Sequence, residues 1–132
     1  MYDWLKVRSN NYNEKFMIDD EGEFISYEDE IPKGWRFAFG QELIEEINVL
    51  LEKYDYVNEY RILQIKEKFG KLRWYCGSLP GEIYDKHETI IDKYEELSSK
   101  YCIECGKKGF IRRDLFYTLP LCEEHYREHK KE

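Results

Sequence analysis

The sequence predicts an α+β fold: small antiparallel hairpins packed with two amphipathic helices, followed by a C-terminal module of treble-clef or zinc-ribbon type. Three observations predict it. Two stretches repeat apolar residues at helical spacing, others are β-branched and aromatic runs broken by turn residues, and the last quarter carries two paired ligand motifs.

In chain order, residues 15–18 and 23–27 are aromatic-rich and flank the acidic turn Asp19-Asp20-Glu21-Gly22, where glycine supplies a positive φ. They read as a hairpin, and residues 31–35 read as a connector. From Gln41 to Tyr54 the apolar positions Leu43, Ile44, Ile47, Leu50, Leu51 and Tyr54 make one helical stripe, with Glu45, Glu46, Glu52 and Lys53 largely off it. Residues 60–77 are β-branched and aromatic, interrupted by Phe69-Gly70, and read as a second hairpin. A second stripe follows Pro80: Ile83, Tyr84, His87, Ile90, Ile91, Tyr94 and Leu97, ending near Ser98-Ser99. The expected division is a core over residues 1–100 and a zinc-binding module over residues 101–132.

Composition narrows the function. With 42% hydrophobic and 17% aromatic residues, the chain has enough apolar surface to close a core. At 132 residues it is small enough for a metal staple to matter to its stability. The net charge of -7 removes the counterion-release term that drives generic nucleic-acid binding, so no nucleic-acid partner is expected. No apolar run approaches the roughly 20 residues of a membrane span, and the first residues lack the apolar stretch of a signal peptide. The four cysteines stand at 76, 102, 105 and 122, a spacing that suits metal chemistry in a reducing compartment better than a disulfide frame. A cytoplasmic location is expected.

The strongest motif is C-x2-C-x16-C-x2-H: Cys102 and Cys105, then Cys122 and His125. Two close pairs meet the tetrahedral S and N demand of zinc with little loop entropy. Gly106 permits the tight turn behind the first pair. Residues 111–121 can form a hairpin between the pairs, and a helix from Cys122 would set Cys122 and His125 one turn apart. His129, one turn further, competes as fourth ligand. Four good ligands argue for a closed, structural Zn2+. Cys76 reads as a buried apolar side chain, and His87 as a core residue.

The second cluster is Lys66, Lys68, Lys71 and Arg73 with Trp74 and Tyr75, basic and aromatic in an acidic chain. With a two-residue Phe69-Gly70 turn, Lys68 faces Lys71, Lys66 faces Arg73, Gln64 faces Tyr75, Ile65 faces Trp74 and Leu63 faces Cys76. Like charges then stand opposite one another, which implies an anion or nearby carboxylates over that face. A three-residue loop would instead oppose Glu67 to Lys71 and Ile65 to Arg73. The first register is preferred because it segregates basic and apolar faces, despite Phe at a positive-φ position. The face reads either as a surface for a phosphate or nucleotide, with Arg73 as fork donor and Tyr75 as stacking plane, or as a solvated strand guarding an edge.

The run Lys66-Glu67-Lys68-Phe69-Gly70-Lys71-Leu72-Arg73-Trp74-Tyr75, followed by a helix and a cysteine cluster, resembles a widespread group of small phage proteins. These carry a KEKFGGLRFY-like run ahead of a CxxCG…CxxC module. The match spans residues 61–125, with Lys71 in place of the second glycine and His125 in place of the last cysteine. The resemblance implies phage or prophage origin and action inside a bacterial host; that origin, taken with the basic-aromatic hairpin, gives the expectation of a non-enzymatic binder that counters host defence by sequestering a nucleotide-type immune signal. The alternatives are a zinc-stabilised module that docks on a host enzyme, specific DNA binding through Lys107, Lys108, Arg112 and Arg113 of the zinc hairpin, which the acidic balance disfavours, and a phosphodiesterase. The last needs a cluster of His and carboxylates, yet two of the three His lie in the zinc module. No membrane partner is expected, and a homo-oligomer is compatible with these readings.

Overall fold

The apolar stripes decide the architecture. A computed structural model describes residues 31–131; the hairpin expected over residues 15–27 lies outside them. In order come α1 (Lys33–Trp35), a π-helical segment (Arg36–Gly40), α2 (Gln41–Lys53), β1 (Ile62–Lys68), β2 (Lys71–Cys76), α3 (Gly81–Ser98), β3 (Phe110–Arg112), β4 (Leu119–Leu121) and α4 (Glu123–Lys130). The fold is α+β, with β1–β2 and β3–β4 as separate two-stranded antiparallel sheets. Among the described residues no helix is long and apolar enough to cross a membrane.

Leu43, Ile47 and Leu51 of α2 are buried against Ile91 and Tyr94 of α3 and against Ile65, Leu72 and Trp74 of the first sheet. Each such side chain contributes roughly 1.5–3 kcal/mol. Ion pairing of Glu46 with Lys93 at one end and a hydrogen bond from Tyr54 to Glu82 at the other set α2 and α3 antiparallel.

The expected connector at residues 31–35 is partly helical. Pro32, extended at φ -49° and ψ 139°, caps α1 at Lys33, where its missing N–H costs nothing. The chain then runs through the π segment into α2 without a break, and the wider turn brings Trp35 and Phe39 into the core with Leu43.

The β1–β2 register follows the two-residue turn: Lys68 pairs with Lys71, Lys66 with Arg73, Gln64 with Tyr75 and Ile65 with Trp74. Phe69 (φ 55°) and Gly70 (φ 86°) both take positive φ, the geometry of a type I′ turn. Glu67 steadies it by accepting the Gly70 N–H at 2.7 Å. The expected Leu63–Cys76 pair is corrected: a bulge between Ile62 and Gln64 pairs Cys76 with Ile62. The extra residue turns Leu63 outward and Ile62 inward.

A polar triad sits inside this core. Tyr60 Oη accepts the Trp74 Nε1–H at 2.9 Å and lies 2.7 Å from His87 Nε2. His87 is wholly buried, as expected of a core residue, and its Nδ1 has no partner among the described residues.

Candidate metal centre

Three local structures deliver four donors. The turn after Tyr101 presents Cys102 and Cys105, with Gly106 at φ 83° completing the knuckle. β3 and β4 return the chain to Cys122, which caps α4 with its side chain, and His125 follows on the first turn of that helix. The ligand atoms of Cys102, Cys105, Cys122 and His125 all lie within 4.8 Å of one another.

Three of the six separations lie close to the edges of a tetrahedron. Zn–S bonds near 2.3 Å and Zn–N bonds near 2.0 Å imply tetrahedral edges of roughly 3.5–3.8 Å. Cys105 Sγ lies 3.7 Å from Cys122 Sγ, and His125 Nδ1 lies 3.6 Å from Cys102 Sγ and 3.2 Å from Cys122 Sγ. The sulfur separation is far beyond the roughly 2.05 Å of a disulfide, and all the cysteines are free thiols. Nδ1 faces the cluster, while Nε2 points towards Glu128, 4.0 Å from its carboxylate oxygen.

The electrostatics also suit a cation. Burial pushes the Cys102 thiol up, but backbone N–H groups of Cys122, Cys105 and Glu104 outweigh it and leave the thiol below its ordinary value. Burial, and crowding by Cys102 and Cys122, push Cys105 up to about 11. The thiol of Cys122 beside it raises His125. A divalent ion among these donors would turn the crowding into attraction. The donor set and its spacing therefore fit a tetrahedral metal ion.

Neither competitor joins the cluster. His129 Nε2 lies 2.5 Å from a Glu104 carboxylate oxygen. Cys76 belongs to β2, where burial and the nearby Glu88 push its thiol up to about 11.

The basic hairpin is dispersed by its surroundings. Arg73 pairs with Glu95 and Lys71 with Glu96, each at 3.1 Å. The carboxylates that the register demands thus come from α3. Trp74 is buried with its indole N–H given to Tyr60, so its ring serves the core. Lys66 stands 5.8 Å over the exposed Tyr75 ring and Lys68 5.7 Å over the exposed Phe69 ring. Sequence reasoning missed Glu95, Glu96 and Glu128, which carry no signal beyond lying on helices. It also missed the exposed aromatics Phe110, on β3, and Phe116 and Tyr117, in the loop between β3 and β4.

Compared with protein-family models, curated proteins and solved structures, the chain matches none.

Proposed function

We propose that this chain is a non-enzymatic binding protein whose C-terminal quarter is held together by one structural zinc ion. The observation that carries this reading is the set of four donors within 4.8 Å of one another. Three thiolates and an imidazole at tetrahedral spacing suit zinc better than the hard cations. With all four corners filled by side chains, no coordination position is left for a substrate, whereas a catalytic zinc keeps one open. Knuckle, hairpin and helix follow one another as a treble-clef-like module would require. Metal affinity then becomes folding free energy for residues 101–131.

Its partner, in this reading, is an anion of nucleotide type, and the biological setting is a phage protein that sequesters an immune signal in the bacterial cytoplasm. Support comes from cations poised beside exposed rings, Lys66 with Tyr75 and Lys68 with Phe69. Isothermal calorimetry of the zinc-loaded chain against cyclic nucleotides and ADP-ribose derivatives tests it. Saturable heat with one of them is expected; silence with all, from a folded protein, would overturn the partner.

A second reading is favoured by the groove between α2 and α3. Val49 is exposed there beside Ile90, and Glu42 and Glu45 rim one end. The occupant it fits is an amphipathic helix of a host enzyme carrying basic residues. Retention of one host protein, abolished by the pair Glu42→Lys and Glu45→Lys, is the expected result. Retention that survives the reversal would reject the groove.

A further inference from the structure

Four large aromatic side chains stand in solvent near the zinc module: Phe116 is 92% exposed, Phe69 74%, Phe110 71% and Tyr117 67%. Single exposed apolar residues are ordinary, but Phe69, Phe116 and Tyr117 are gathered by the meeting of two hairpins. A Cβ on Gly70 would lie 2.7 Å from Ile111 Cδ1 and 3.5 Å from Thr118 Cγ2, so the β1–β2 turn rests on the β3–β4 hairpin. Phe69 precedes that glycine, and Tyr117 precedes that threonine. Phe69, Phe116 and Tyr117 line one recess of about 290 Å³ together with Lys68. Phe110 lines a second recess, which reaches Ile111 and includes Lys100 and Lys108. The Phe116 and Tyr117 rings meet edge to face, 4.8 Å between centroids, which leaves ring faces open to solvent.

The charge here opposes that of the whole chain. Residues 100–118 hold five basic and two acidic residues, against a net charge of -7 overall. The nearby carboxylates are engaged: Glu67 with the Gly70 N–H, Asp114 with Lys130 and Glu104 with His129. Lys68, Lys108 and Arg113 form no ion pair with a described residue.

Open ring faces beside unpaired cations call for a partner that offers stackable planes and anions at short, repeated intervals. A single-stranded nucleic acid supplies both; a duplex hides its base faces, and an acidic peptide lacks them. We infer that the converging tips of the two hairpins form a surface for single-stranded nucleic acid. Phe69, Phe116 and Tyr117 stack with bases, and Lys68 and Arg113 meet the phosphates. The acidic remainder of the chain repels polyanions and confines contact to this end. The inference rests on the reading of the chain as a binder of nucleotide-type partners, and extends it from a small ligand to a polymer.

Fluorescence anisotropy with a labelled twelve-residue oligothymidylate and the full zinc-loaded chain tests it. Saturable binding is expected, with a log–log salt slope of about -1.4 for two phosphate contacts on a single strand. The double substitution Phe116→Ala and Tyr117→Ala should weaken binding by roughly tenfold or more, and Phe116→Trp should retain it. Both variants alter exposed side chains, and unchanged zinc content and melting temperature confirm their folds. Absent binding, binding unmoved by the double substitution, or equal displacement by duplex or polyglutamate would each overturn the inference. Heat from a free nucleotide without oligothymidylate binding would refute this surface while the small-ligand reading stands. Oligothymidylate binding through the tips without heat from any free nucleotide would do the reverse.

Discussion

Gly34 donates its backbone N–H to the carbonyl of Ile103 at 2.8 Å, joining the first helical turn to the metal knuckle. The contact is backbone against backbone: a Cβ on Gly34 would stand 2.1 Å from the Cys102 carbonyl oxygen and 2.5 Å from the Ile103 carbonyl carbon. Trp35 adds a bond from its indole Nε1 to the Tyr101 carbonyl at 3.2 Å. The helical core and the knuckle therefore hold one another in place.

Gly34→Ala should destabilise the protein by about 3 kcal/mol or more, because rigid backbone cannot move aside as a side chain would. Gly81→Ala is the matched control, since nothing lies within 4 Å of a Cβ there; it should be neutral or mildly stabilising. Thermal unfolding of both variants checks the contrast, and equal melting temperatures would remove the wedge.

Cys102→Ser should release the metal and also weaken the core, since Gly34 and Trp35 bond to the knuckle on either side of that residue. Amide hydrogen exchange should lose protection over residues 101–131 first and at α1 next. Protection of α1 at wild-type level would show that the two parts are independent.

How much of this was legible in the sequence follows from how local each cause is. The ligands were legible because C-x2-C and C-x2-H place donors together through a turn and a helix alone. The β1–β2 register was legible because only one pairing segregates charge from apolar side chains. The bulge at Leu63 was not, because it exists to bury Ile62. The start of α1 was hidden by Gly34, a poor helix former that is tolerated because the knuckle leaves no room for a Cβ. Glu95 and Glu96 were hidden because their pairing with Arg73 and Lys71 depends on where α3 crosses β2. The exposed rings at the hairpin tips were unreadable, since aromatic composition does not distinguish a core side chain from a surface one.

His87 makes stability depend on pH. Burial lowers its pKa from 6.5 to about 4. Between those values the unfolded chain binds a proton that the folded chain does not, so stability is lost as pH falls from about 6.5 towards 4. The loss should reach about 3 kcal/mol at the lower limit. Chemical denaturation across this window should show a steeper decline in the wild type than in His87→Gln, which lacks the titrating group. Parallel curves would refute the assignment.

Tyr60→Phe should cost about 2 kcal/mol, because it removes the hydrogen bonds that Tyr60 Oη makes with Trp74 Nε1 and His87 Nε2 in the buried core. The shape is conserved, so the loss reports polar satisfaction and not a cavity. Denaturant midpoints at constant slope measure it, and a change under roughly 0.5 kcal/mol would mean that neither bond matters.

Elemental analysis of the chain purified without added metal tests the central claim most directly, with Cys122→Ser and His129→Ala measured alongside. One zinc per chain is expected in the wild type and in His129→Ala, with loss from Cys122→Ser. A wild-type chain free of zinc whose residues 101–131 are nonetheless folded would contradict the account.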